Sequence, residues 1–317
     1  MKKYISYYLL LVFSGIASII PFRILYWFSD ITCFILYNFI RYRRDTVLVN
    51  LSKSFPEKMG NELKDIERKF YKHFCDIFFE NLILPFLSIK ELNKRFVYKN
   101  PEILEPYYQK NKSVIIYAGH YGNWEMTLNL TSFTKHKVYT AYKEQHIKGF
   151  NKFIIRTRRK KGMELILMNN FAKQLVRSIQ DGIPTIAFLL GDQCPDMFNV
   201  RYWTTFLNQD TPVLLGPERL SKKLDLPVFF LDIKKTGRGR YESSFILIED
   251  NPSHTKEFEI IEKCTQYLEN MIKRDPTIWL WTHKRWKHRR LQDYLQLMNR
   301  TIDSPSVSYN PDLLKKL

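Results

Sequence analysis

The chain has 317 residues, enough for one large domain or two modest ones. Its formal charge of +18 predicts an anionic partner, which could be nucleic acid, an anionic lipid surface or a phosphorylated ligand. The cysteines Cys33, Cys75, Cys194 and Cys264 are scattered and form no CxxC pair. This spacing argues against a disulfide framework or a zinc site and favours reduced thiols in the cytosol.

The N-terminal segment is strongly apolar. Residues 4–22 contain no charged side chain, and residues 24–40 contain only Asp30; about 20 apolar residues suffice to span a bilayer as a helix. Basic residues flank the segment: Lys2, Lys3, Arg41, Arg43 and Arg44. A signal peptide also begins with lysines before an apolar run, but this run is long for one. The pattern predicts a retained membrane anchor over residues 1–44, which either spans the membrane or lies in its interface.

From Asp45 onward, apolar runs with strand character alternate with helical stretches. The predicted strands cover residues 114–118, 138–141, 165–168, 185–190, 228–233 and 245–248. The predicted helices include residues 150–161, 170–180, 217–223 and 257–273. Such alternation predicts an α/β fold, with one domain over residues 45–317 built on a mixed, mostly parallel sheet flanked by helices.

His120 follows the strand 114–118 in a turn bounded by glycines, and a helix is predicted from Asn123. On one continuous helix His120 and Glu125 would point about 140° apart and would not meet. With His120 in the loop, Glu125 could fold back onto the imidazole, and a base with an orienting partner can deprotonate a hydroxyl that attacks an acyl carbonyl. In the alternative interpretation, His120 ends a strand and Glu125 is a solvated carboxylate.

The predicted helix 150–161 is strongly basic just before Gly162. Its basic residues include Arg156, Arg158, Arg159, Lys160 and Lys161. Because consecutive residues point all round a helix, this segment could simply face solvent or lipid. Arginine also binds phosphate groups bidentately, so the same residues are candidates for holding a phosphorylated ligand.

Asp192 and Gln193 follow directly after the strand 185–190. If that strand runs parallel to 114–118, both residues lie at the same sheet edge as His120, where α/β proteins place their ligands. The alternative is a structural turn that uses Asp192 and Pro195.

The C-terminal segment 279–286 interleaves aromatic and basic side chains. Aromatic residues among basic ones suit stacking with nucleic-acid bases and equally suit a membrane interface. Trp279 and Trp281 also alternate as neighbours on a strand do, so one face could lie in the core.

Taken together, these motifs resemble the bacterial lipid A biosynthesis acyltransferases, the lauroyl/myristoyl late acyltransferases, which have a glycerol-phosphate acyltransferase-like fold. The resemblance covers nearly the whole chain. It includes the N-terminal anchor, residues 43–57, the box from His120 to Glu125, the basic helix ending at Gly162, residues 192–195, and residues 281–286.

The resemblance implies an enzyme of the bacterial inner membrane that faces the cytoplasm. It would move a fatty acyl chain from an acyl carrier protein thioester to a hydroxyl of a lipid A precursor, a phosphorylated glycolipid. His120 would be the general base and Glu125 its support, and the substrate-binding residues would be Arg156, Arg158, Arg159, Asp192 and Gln193. Because a thioester is already activated, no metal, cofactor or nucleophilic cysteine is expected.

Two other interpretations remain. The acceptor could be another membrane lipid, such as a lyso-phospholipid, an aminolipid or a pigment precursor. From a different class, the chain could be a membrane-tethered nucleic-acid-binding protein that stacks bases on Trp279, Trp281 and Trp286. The acyltransferase motifs favour an enzyme that has no nucleic-acid partner.

Overall fold

A seven-stranded sheet organises the protein. The computed structural model describes residues 5–144 and 147–290. The strands are β1 (Phe96–Tyr98), β2 (Val114–Ala118), β3 (Lys137–Tyr142), β4 (Glu164–Leu167), β5 (Thr185–Leu190), β6 (Trp203–Phe206), β7 (Gln209–Pro212), β8 (Val228–Gly237) and β9 (Arg240–Glu249). The sheet order is β1-β9-β8-β2-β5-β3-β4, while β6 and β7 form a separate antiparallel pair. In the seven-stranded sheet the β8–β9 pair is antiparallel and the other neighbouring strands are parallel.

Helices lie before, between and after the strands. They are α1 (Ile5–Ile19), α2 (Phe22–Ile35), α3 (Arg44–Ser54), α4 (Gly60–Ile83), α5 (Ile89–Arg95), α6 (Glu105–Gln109), α7 (Lys148–Lys160), α8 (Met168–Gln180), α9 (Gly216–Leu224) and α10 (Glu259–Arg274). Short 3-10 segments include Trp124–Ser132, Met197–Asn199 and Pro276–Ile278, and a π turn covers Leu36–Ile40.

The central strands explain why the sheet is mostly parallel. Every residue of β2 is buried, as are Thr185 to Leu189 of β5. Strands that are apolar at successive positions need cover on both faces, which helical connections between parallel strands supply. The predicted α/β class with a mostly parallel sheet is confirmed.

Several predicted elements have shifted ends; the predicted strand 245–248, for example, is part of β9, and the predicted helix 257–273 begins at Glu259. Two differences have a local cause. The strand expected over 165–168 ends at Leu167, because α8 begins at Met168. The helix expected from Asn123 is a 3-10 segment, although Asn123 does cap it by accepting a hydrogen bond from the Glu125 N–H at 3.2 Å. The Thr127 hydroxyl in this segment donates to the Trp124 carbonyl three residues earlier, a local bond that competes with regular α-helix.

The N-terminal helices pack on the rest of the chain through one face. Helix α1 contacts α4 and α7, and α2 contacts α4. Arg238 bonds to both Asp30 of α2 and Asp76 of α4, at 2.7 Å each. Within residues 5–144 and 147–290, no helix has the length and apolarity required to cross a bilayer.

The opposite faces of α1 and α2 carry exposed apolar side chains. They include Tyr8, Leu9, Val12, Phe13, Ile16, Ile19, Trp27, Phe28, Ile31 and Phe34. The predicted basic flank at Lys2 and Lys3 lies outside the described residues, as does the predicted end of the domain beyond residue 290. The predicted boundary between residues 44 and 45 stays a prediction.

Candidate active site

His120 stands at the carboxyl edge of the sheet, two residues after β2. The chain turns sharply there, since the Tyr121 N–H bonds to the Gly119 carbonyl at 2.9 Å and Gly122 has a φ of +58°. That φ lies in the left-handed region, which glycine adopts without the steric cost of a Cβ. The imidazole remains 14% exposed. This turn therefore presents a histidine at the edge where α/β proteins bind ligands.

Asp192 orients the imidazole of His120 through its Nδ1 atom. Its Oδ1 lies 2.6 Å from His120 Nδ1, and its Oδ2 accepts the His120 backbone N–H and the Trp279 indole N–H, each at 2.8 Å. Burial raises the pKa of Asp192, but the charge and hydrogen bonds of His120 and the Trp279 indole outweigh it and lower that pKa to about 2. An ionised carboxylate only accepts, so His120 Nδ1 carries the proton.

The other imidazole nitrogen is accordingly the basic one. Gln193 Nε2 lies 3.1 Å from His120 Nε2, where the amide N–H can donate to the nitrogen lone pair. The Trp124 ring meets the imidazole edge to face, with centroids 5.0 Å apart. His120 and Gln193 both line a cleft, so the basic nitrogen lies beside a space that a substrate could occupy.

Glu125 is bonded to Arg158 instead. Arg158 donates from Nε to Oε2 at 3.0 Å and from Nη2 to Oε1 at 2.5 Å. Burial raises the pKa of Glu125, but the charge and hydrogen bonds of Arg158, with the charge of His120, give a net lowering. The predicted contact of Glu125 with the imidazole is therefore corrected, since the bonded carboxylate is Asp192; a catalytic role for Glu125 stays a prediction.

The sheet register explains this pairing. Ala118 of β2 lies opposite Leu190 of β5 in parallel alignment, and the Gly191 N–H bonds to the Ala118 carbonyl at 3.0 Å. His120 and Asp192 are each two residues beyond that matched pair. Neighbouring parallel strands thus bring the two side chains together.

The three predicted arginines on α7 have different surroundings. Arg158 lines the cleft, whereas Arg156 Nη1 donates to the hydroxyl of Tyr7 on α1 at 3.3 Å. Arg159 is exposed. Successive residues on a helix point about 100° apart, so these three cannot share one face. Arg158 is the one that joins the site.

The C-terminal tryptophans belong mainly to the core. Trp279 and Trp281 are buried, and Trp281 donates its indole N–H to the Pro276 carbonyl at 2.6 Å. Trp286 packs against Phe206 and Trp279 and donates to the Thr211 hydroxyl. Because a buried indole cannot stack on a base, Trp279 and Trp281 are unavailable for such contacts, whereas Trp286 is half-buried.

His283 supports the loop that carries Asp192, and the buried Arg285 lies beside Cys194 of that loop. The Cys194 N–H donates to His283 Nε2 at 3.0 Å, and burial lowers the pKa of His283 to about 4. Arg285 is 2% exposed, and its Nε and Nη1 have no hydrogen-bond partner within the described residues. The segment beginning at Trp279 therefore fixes both Asp192 and the residues that follow it.

The cleft beside His120 has a volume of about 520 Å³. Its apolar lining includes Ala141, Ile154, Met168, Phe171, Leu189, Leu190, Leu214 and Leu220. An apolar cleft with a few polar groups is typical of a small-molecule site, and this one can take an aliphatic chain. Among the described residues, no group of His, Cys, Asp and Glu side chains could hold a metal ion.

Sequence reasoning named Asp192 as a substrate-binding residue and did not assign Trp279 to the site. The available signal was the position of Asp192 after a strand predicted to share a sheet edge with His120. Trp279 gave no comparable signal, because its bond to Asp192 joins residues 87 positions apart.

Comparison with known proteins gives a second line of evidence. No individually curated protein matches the chain significantly. The family model for bacterial lipid A biosynthesis acyltransferases matches residues 1–288, which include the His120 turn, the Asp192 loop and the buried tryptophans. The chain therefore belongs to the bacterial lipid A biosynthesis acyltransferase family.

Proposed function

We propose that this acyltransferase moves a fatty acyl chain from an acyl carrier protein thioester to a hydroxyl of a lipid A precursor, with His120 as the general base. One observation carries the proposal. The imidazole is fixed through Nδ1 by a buried, ionised Asp192, and its basic Nε2 lies at an apolar cleft. Such a base needs neither a metal nor a covalent intermediate when the acyl donor is a thioester.

His120 and the two substrates account for every proton and bond in the reaction. His120 Nε2 removes the hydroxyl proton as the acceptor oxygen bonds to the thioester carbonyl carbon, and the carbonyl electron pair moves to its oxygen. The intermediate collapses, the C–S bond breaks, and the imidazolium returns its proton to the departing sulfur. Ester and free thiol are the products.

Gln193 and Arg158 are the proposed donors to the oxyanion. The acceptor hydroxyl has to replace the Gln193 amide at His120 Nε2, which frees that amide for the developing negative charge. Arg158 lines the same cleft and carries a fixed positive charge. Donors held in place before reaction stabilise an oxyanion without the cost of reorganisation.

Glu125 takes a different role from the one expected. It positions the Arg158 guanidinium through two hydrogen bonds, while Asp192 stabilises the imidazolium. A bidentate pair fixes both the position and the plane of the guanidinium. Glu125 therefore acts on the reaction through Arg158.

The substrates fit the charge and surface of the chain. An acidic carrier protein and a phosphorylated glycolipid both complement the formal charge of +18. Arg159 is exposed and stays a candidate for phosphate contact, and Arg156 a weaker one because it bonds to Tyr7. The alternative acceptors are a lyso-phospholipid, an aminolipid or a pigment precursor. Any of them would change the acceptor in this proposal and leave the rest of the mechanism as it is.

The exposed apolar faces of α1 and α2 support attachment to the inner membrane. Their outward side chains include Trp27 and Tyr8, residue types that favour the membrane–water interface. Arg23 in the first turn of α2 and Arg41 directly after the π turn add positive charge that suits anionic headgroups. We place these helices on the cytoplasmic side of that membrane.

The decisive experiment replaces His120. His120→Ala and His120→Gln should lower kcat about 10²- to 10⁴-fold, the usual contribution of a general base, in an assay with radiolabelled acyl-carrier donor and a lipid A precursor in detergent. His254→Ala, at an exposed histidine far along the chain, is the matched control and should retain activity. Near-normal transfer by purified, folded His120→Ala would rule out this mechanism.

A second measurement tests the acceptor. Mass spectrometry of intact lipids from cells with and without the protein should show lipid A lacking one acyl chain when the protein is absent. Unchanged lipid A together with loss of an acylated phospholipid or aminolipid would replace the proposed acceptor and keep the acyltransferase.

A further inference from the structure

A second cleft adjoins the one that contains His120. It lies between α8 and α9 and has a volume of about 830 Å³. Ala172 and Leu220 line both clefts, so the two clefts are adjacent along α8 and α9. We call this outer space the α8–α9 groove.

The α8–α9 groove is positively charged at its rim. Lys173, Arg177 and Lys223 line it with one acidic residue, Asp181. Arg177 pairs with Asp181 at 3.8 Å, but within the described residues Lys173 and Lys223 have no salt bridge and are exposed. The groove therefore presents uncompensated positive charge next to the cleft that contains the base.

Another basic cleft provides a contrast. It has a volume of about 470 Å³ and is lined by Lys72 and Arg238, but also by Asp76 and Asp275. Arg238 bonds to Asp76 at 2.7 Å, and Lys72 pairs with Asp30 at 3.5 Å. Its charges already have partners in the protein, which makes it a poorer attractor for an anionic macromolecule.

We propose that the α8–α9 groove is the docking surface for the acyl carrier protein, an inference that rests on the proposed function. The donor is an acidic protein, and its thioester must reach His120 from outside. Docking on Lys173 and Lys223 places the carrier next to the cleft that contains His120, and complementary charge raises the rate of encounter. From there the thioester arm has to pass Ala172 and Leu220, which line both clefts, to reach His120.

The test reverses the two unpaired charges. For Lys173→Glu/Lys223→Glu, kcat/KM with lauroyl-loaded acyl carrier protein should fall at least about tenfold, with kcat at saturation less affected, and its dependence on ionic strength should weaken. Lauroyl-pantetheine lacks the carrier, so with it the variant and wild type should differ less than twofold. Binding of the loaded carrier, measured by isothermal titration calorimetry, should weaken together with kcat/KM.

The matched control is Lys53→Glu/Lys64→Glu. It makes the same change in total charge at exposed lysines of α3 and α4 and should keep wild-type kcat/KM with the carrier. Equal losses in both double variants would overturn the docking site, because long-range charge alone would then explain the effect. So would unchanged carrier binding by Lys173→Glu/Lys223→Glu, or weaker binding to anionic vesicles with carrier binding intact.

Failure of the proposed function looks different. In that case wild-type protein transfers no acyl group from either donor, whereas an incorrect docking site leaves wild-type transfer intact. Because carrier binding is measured without turnover, it tests the docking surface in both cases.

Discussion

Replacing Asp192 by asparagine tests whether Asp192, rather than Glu125, is the carboxylate that orients His120. Asp192 accepts three hydrogen bonds, from the His120 imidazole, the His120 backbone and the Trp279 indole. Asparagine keeps the shape but has one acceptor oxygen, and its NH₂ group cannot accept from the imidazole. The tautomer with the proton on Nδ1 loses its support, so Nε2 is no longer reliably basic.

The expected losses of stability and of kcat follow from the pKa of Asp192 and from the same substitution in a Ser-His-Asp triad. The pKa of Asp192 falls from 3.8 to about 2, and at about 1.4 kcal/mol per pKa unit this is about 2 kcal/mol of folding free energy. A carboxyl whose pKa is lowered on folding gives that stability above pH 3.8 and loses it as pH falls through about 2. An equivalent Asp-to-Asn change in a Ser-His-Asp triad costs about 10⁴ in kcat, or about 5 kcal/mol of transition-state stabilisation.

We therefore expect Asp192→Asn to lower kcat about 10³- to 10⁴-fold and the free energy of unfolding by about 2 kcal/mol. Glu125→Gln, which keeps the imidazole contacts, should lower kcat less. The assay is acyl transfer from the loaded carrier, with circular dichroism melts to verify that both variants fold. The reasoning is refuted if Asp192→Asn keeps more than a tenth of wild-type kcat while Glu125→Gln loses a thousandfold.

Three further changes have defined outcomes. Arg158→Ala leaves Glu125 without its cation and should cost about 3 kcal/mol in chemical denaturation; an unchanged midpoint would contradict this ion pair. Burial lowers the pKa of His283 from 6.5 to about 4, so the folded state should lose about 3 kcal/mol as pH falls through that window. His283→Gln should remove this pH dependence of the free energy of unfolding, measured by denaturant titration at several pH values. An unchanged pH dependence would show that other groups cause it. In Gly191→Ala, the new Cβ would lie 2.1 Å from a buried tyrosine ring of β2, so we expect a loss of about 2 kcal/mol; Gly60→Ala, with no atom within 4 Å, should melt like wild type.

The sequence was sufficient for the fold class and for the position of His120. Strands and helices arise from hydrophobic periods within ten to fifteen residues, which can be read locally. Glycines on both sides of a histidine after an apolar run predicted an exposed side chain at the sheet edge. The order of the motifs along the chain predicted the family, which the family model confirms.

Tertiary structure decided which side chains meet. Glu125 is five positions from His120, yet the 3-10 segment directs it to Arg158, while Asp192 arrives through the register of β2 with β5. Trp279 was compatible with nucleic acid, membrane or core, and its burial against Asp192 selects the core. Local patterns determine which residues form strands, turns and helices, but they do not encode the register of strands that pair across more than 70 residues. The hydrogen-bond partners of the base depend on that register, and so they were determined only when the sheet was assembled.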